Sequence, residues 1–117
     1  MSRNTVAISA LPPSSLSRLK DLGHRIRLAR KRRKLTLRQL ADLMLVSVAT
    51  LQRLEKGAPG VSLGTLMTAL TCLQLENDID AVAAMETDMV GLEYERRRLE
   101  GLNRRQSGPA KENIYNF

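Results

Sequence analysis

The stretch LTLRQLADLMLVSVATLQRLEKG, residues 35–57, decides the fold. Thr36 suits a helix N-cap, because its hydroxyl can accept one of the orphan N–H groups that open a helix. Gln39, three residues on, completes a capping box, so a helix is predicted from Leu37 to about Leu43. Ser47 caps the next helix, which runs through about Lys56, and Gly57 closes it as a left-handed C-cap shortly before Pro59. Ala41 is small where the two helices meet, so their backbones can approach closely at a steep angle. Leu40, Val46, Leu51 and Leu54 point inward and lock that angle, leaving Val48, Ala49, Gln52 and Arg53 outward on the later helix.

On the N-terminal side, Leu16, Leu19, Leu22, Ile26 and Ala29 recur at three- and four-residue steps and predict a first helix, capped by Ser14 or Ser15 and ending near Arg33. On the C-terminal side, Ser62 caps a fourth helix, Leu63 to Leu73, with Leu63, Leu66, Met67, Leu70 and Leu73 on one apolar face. Asn77 or Asp78 starts a short fifth helix carrying Ile79, Val82 and Ala83, and a further helix covers about Thr87 to Leu102. The organisation expected is all-α: a flexible arm at 1–15, a five-helix domain at 16–85, a helical extension at 86–102 and a flexible tail at 103–117.

Composition agrees. The 117 residues suit one domain plus tails, and aromatics are only 3%, so the core is aliphatic and helical rather than a β-sandwich. Cys72 is the sole cysteine, which excludes an internal disulfide and a thiolate zinc site; it reads as a small buried hydrophobe. His24 is the sole histidine, and no nucleophile–base constellation or phosphate loop accompanies it, so neither catalytic residues, metal nor cofactor is expected. With no apolar run of membrane-spanning length and no convincing signal peptide, the cytoplasm is the expected compartment. The net charge of +7 is polarised. Residues 16–36 hold nine Lys or Arg against one Asp, whereas residues 61–85 hold three acids and no base. The run Arg30-Lys31-Arg32-Arg33-Lys34 has no interleaved acid, which favours a phosphate-backbone partner over a merely solvated face.

Two short helices with this connection have helix-turn-helix geometry, and a later helix with small residues at its start can enter the major groove. Residues 35–57, together with SLGTLMTALTCLQL at 62–75, resemble the XRE/Cro-C1 family of phage and bacterial repressors over Leu22 to Leu75. The resemblance implies a five-helix, lambda-repressor-like DNA-binding domain. It implies that Arg30 and Glu55 form a structural ion pair between the first and third helices. It places base reading on Ser47, Val48, Ala49 and Arg53, with Arg53 suited to guanine O6 and N7. Thr36, Arg38, Gln52 and Lys56 are better placed for phosphates, and Thr50 sits between the faces. Two positions depart from the family: Leu37 stands where Gln commonly bonds phosphate, and Leu45 stands where the turn prefers Gly.

Repressors of this family read a palindromic operator in double-stranded DNA as a homodimer. Ile79, Val82, Met85 and Met89 are candidates either for self-association or for the last layer of the core. EKGAPGVSLGTL at 55–66 followed by DIDAVAAMETDMVG at 78–91 is similar to HipB-like antitoxins, which repress their own operon and bind a HipA-like kinase toxin. Ile114, Tyr115 and Phe117, in the terminal ENIYNF, are candidate partner anchors on an otherwise polar tail. The alternative is a free-standing repressor with no toxin. An RNA or membrane-surface module is disfavoured by the scarcity of aromatics for base stacking or interfacial anchoring.

Overall fold

A computed structural model describes residues 10–105. Among them are five α-helices, α1 (Pro13–Arg32), α2 (Leu37–Met44), α3 (Val48–Glu55), α4 (Leu63–Cys72) and α5 (Met89–Arg105), two 3-10 turns, Glu76–Ala81 and Met85–Thr87, and no strand. The chain divides into two compact units between Ile79 and Asp80.

In the first unit, α1 packs on α3, and α2 packs on both α3 and α4. Ile26 and Ala29 of α1, Leu40, Ala41 and Met44 of α2, Leu51 and Leu54 of α3, Ala69 of α4 and Leu73 just beyond it form one buried cluster. Each large aliphatic side chain removed from water there contributes roughly 1.5–3 kcal/mol. Ala41 is buried at the α2–α3 crossing, as its size predicts, and Val46 packs against the cluster from the connection. Cys72 is half-buried against the same cluster, a free thiol acting as filling.

Local chemistry explains the helix ends. Thr36 and Gln39 form the expected capping box: the Thr36 hydroxyl accepts from Gln39 N at 3.0 Å, and the Gln39 amide oxygen accepts from Thr36 N at 2.8 Å. Ser62 caps α4 by accepting from Thr65 N at 3.0 Å. The start of α1 differs from expectation. Pro12 is the N-cap and supplies no side-chain bond, while Ser14 and Ser15 lie in the first turn. Pro13 takes the first helical position, where its preset φ fits and its missing N–H leaves no bond unmade. Past Leu75, the expected fifth α-helix is a six-residue 3-10 turn, and Leu63 is exposed rather than continuing the apolar face of α4.

Four helix ends turn through a left-handed residue: Lys34 after α1, Leu45 after α2, Gly57 after α3 and Gln74 after α4. At each, two backbone bonds close back onto the last turn. After α3, for instance, Gly57 N donates to Leu54 O and Ala58 N to Arg53 O, both at 3.0 Å. Leu45 adopts φ 59°, ψ 40° and is 92% exposed as a residue, so it carries a left-handed penalty with little burial in return.

In the second unit, Asp88 accepts from Gly91 N at the start of α5. A ladder of exposed ion pairs, Glu93–Arg96, Glu93–Arg97 and Arg96–Glu100, runs along that helix. The hydrogen bond from Arg96 is the main reason the Glu93 carboxyl is held below the usual carboxylate range.

Candidate nucleic-acid interface

The third helix presents two opposite faces. Leu51 and Leu54 are buried against α1 and α2, while Ala49, Gln52, Arg53 and Lys56 are exposed on the far side. Successive helical residues step by 100°, so these four side chains gather on one outward strip. Ser47 caps the helix: its hydroxyl accepts from Thr50 N at 3.1 Å and lies 2.9 Å from the Thr50 hydroxyl. Both polar groups at the tip therefore have local partners, and Thr50 is half-buried. Val48 is also half-buried and packs partly against the core, so only part of its surface is free. Ala49, by contrast, is exposed, and its small side chain leaves the backbone there accessible.

What fixes α3 against the scaffold is an ion pair. Arg30 Nε donates to Glu55 Oε2 at 2.7 Å, and Arg30 Nη2 donates to Glu55 Oε1 at 3.0 Å, a two-pronged arrangement matched to the guanidinium fork. The remaining prong, Nη1, donates to the Leu35 carbonyl at 2.9 Å. One buried side chain on α1 thus ties together α3 and the segment leading into α2. The pair's side chains are only 7% and 6% exposed.

Glycines supply a second clamp, missed in the sequence reading. A Cβ on Gly23 of α1 meets the carbonyl oxygens of Leu54 and Glu55 and the Gly57 nitrogen, all at 2.6 Å, and one on Gly57 runs into the backbone of Leu19 and Lys20. Helix α1 and the end of α3 therefore touch backbone to backbone. The available signal was an isolated glycine inside a helical pattern, which usually has a packing reason.

Thr36 and Arg38 are exposed at the start of α2. Leu37 is half-buried and lines a recess with Arg27, Arg30, Gln52, Glu55 and Lys56. Arg27 was not singled out from sequence, although it lies one helical turn before Arg30 on the same side of α1. Val82, Met85 and Met89 are exposed rather than laid into a core, and Ile79 is half-buried. The tail residues Ile114, Tyr115 and Phe117 lie outside the described residues. No described helix is long and apolar enough to cross a membrane.

Residues 21–81 match a family model described as a helix-turn-helix domain. No curated protein and no solved structure matches the chain.

Proposed function

Because the chain belongs to the helix-turn-helix domain family, whose model spans more than half of it, we propose that it is a sequence-specific transcriptional repressor that reads DNA with the outward strip of α3. The observation that carries this reading is that strip itself. Ala49, Gln52, Arg53 and Lys56 stand exposed on a helix whose other face is buried and whose orientation is fixed by the Arg30–Glu55 pair. Arg53 reads a guanine, with Ser47, Ala49 and the free part of Val48 beside it. Thr36, Arg38, Thr50, Gln52 and Lys56 hold the backbone. One reading helix supplies few base contacts, so two subunits act on a palindromic operator, and the exposed Val82, Met85 and Met89 offer apolar surface for that pairing. The compartment proposed is the cytoplasm, where such DNA lies.

The narrower form of the proposal is an autorepressing antitoxin that also binds a HipA-like kinase toxin. It rests on the resemblance of residues 55–66 and 78–91 to HipB-like proteins; the alternative is a free-standing repressor. A HipA-like reading frame beside the gene, and its product retained on the immobilised protein, separate the two.

The test of base reading starts from an operator selected out of random duplexes. Arg53→Ala is expected to cost about 1–3 kcal/mol on that operator and to relax preference at one base pair per half-site, with little change on unrelated DNA. Equal losses on both DNAs make Arg53 a backbone contact and overturn the assignment.

A further inference from the structure

The recess between α1, the start of α2 and α3 is lined by Arg27, Arg30, Leu37, Gln52, Glu55 and Lys56. Its charges fall into two groups. Glu55, the only acid in it, is fully engaged by Arg30 through two hydrogen bonds. That pair contributes a neutral floor beside the apolar Leu37. Arg27 and Lys56 are exposed at the rim, and among the described residues neither takes part in an ion pair. The recess is therefore a concave site with a neutral floor, two unneutralised cations and the amide donor of Gln52. It also opens beside the first residue of α2, where a helix presents its positive end.

We propose that this recess seats one phosphodiester group of the DNA strand flanking the groove that α3 reads, gripped by Arg27 and Lys56 with Gln52 as neutral donor. The inference rests on the DNA-binding reading above and adds Arg27, on α1, to the binding surface. The location favours a phosphodiester over a protein carboxylate. Gln52 and Lys56 belong to the same outward strip as Ala49 and Arg53, so an anion in the recess lies alongside whatever α3 inserts into. The Arg30–Glu55 pair consequently has two effects here: it orients α3, and it keeps a carboxylate from repelling the incoming phosphate. Leu37 contributes shape but no bond, which leaves the cations on α1 and α3 to hold the strand.

The test uses the full chain and a fluorescein-labelled duplex of mixed sequence, with affinity measured across a salt series. Arg27→Ala is expected to lower the salt slope by about 0.9 and to weaken binding about eightfold at 0.1 M salt, the effect of one fewer released counterion. Arg27→Lys, which retains the charge, is expected to keep the slope. Arg25→Ala removes an equal charge from an exposed residue of the same helix that does not line the recess, and is expected to change the slope by much less. Equal slopes for wild type and Arg27→Ala, or equal losses for Arg25→Ala and Arg27→Ala, overturn the phosphate seat while leaving DNA binding by α3 intact. Absence of salt-dependent binding in the wild type instead overturns the DNA-binding reading on which the seat depends.

Discussion

Removing the carboxylate of Glu55 tests the scaffold at its most sensitive point. In Glu55→Ala, Arg30 loses two of its three hydrogen bonds and keeps only the one to the Leu35 carbonyl. A guanidinium whose side chain is 7% exposed is thereby left without its counter-charge. Breaking a buried pair in this way costs about 3–5 kcal/mol, a large share of the roughly 5–15 kcal/mol that stabilises a domain. At about 4–8 °C per kcal/mol for a domain of this size, the melting temperature falls by at least about 12 °C. Far-UV circular dichroism followed through thermal and urea unfolding gives the value. The companion variant Arg30→Met/Glu55→Leu removes both charges and fills the space with apolar atoms. It is expected to recover most of the loss, apart from about 1 kcal/mol for the Leu35 carbonyl left without its donor. A cost below about 1 kcal/mol for Glu55→Ala, the range of exposed pairs, refutes the buried-pair argument. A double variant as unstable as Glu55→Ala refutes it too, because the loss then comes from packing and not from a stranded charge.

Two further substitutions probe the backbone. Gly23→Ala places a methyl 2.6 Å from three backbone atoms of the α3 terminus; overpacking of that kind costs about 1–3 kcal/mol, more than alanine's helix propensity returns, so urea unfolding should show a lower midpoint, and an unchanged or higher one argues that α1 and α3 do not touch there. At Leu45, glycine relieves about 1 kcal/mol of left-handed strain, partly offset by its freedom in the unfolded chain, whereas a β-branched side chain worsens the strain. The expected order of thermal stability is Leu45→Gly at or slightly above wild type and Leu45→Val below it, and the reverse order refutes the strain at this turn.

The parts of the fold legible in advance are those written in local chemistry. Thr36 with Gln39, Ser47 and Ser62 mark helix starts because their oxygens answer N–H groups only a few residues away. Of the inward set Leu40, Val46, Leu51 and Leu54, the three leucines are buried and Val46 is half-buried against them, and Ala41 is buried as its size predicts. Prediction slipped where local signals compete or are weak. Two serines beside Pro13 read as caps, yet the proline's preset φ moved the start of α1 upstream. Val48 counts as outward by spacing, but it is half-buried and packs against the core cluster.

The sequence by itself determined the helical character of the described residues, the α1–α4 order and most of the outward strip of α3, because caps and a 3.6-residue period act over a few residues. Beyond the Arg30–Glu55 pair that the family resemblance implied, only the tertiary structure decided how that strip is held and what stands beside it. The closeness of Gly23 to Gly57, the engagement of every prong of Arg30 and the gathering of Arg27 with Lys56 around Leu37 each join residues distant along the chain. Such contacts depend on where whole helices cross, and no short window of residues encodes a crossing.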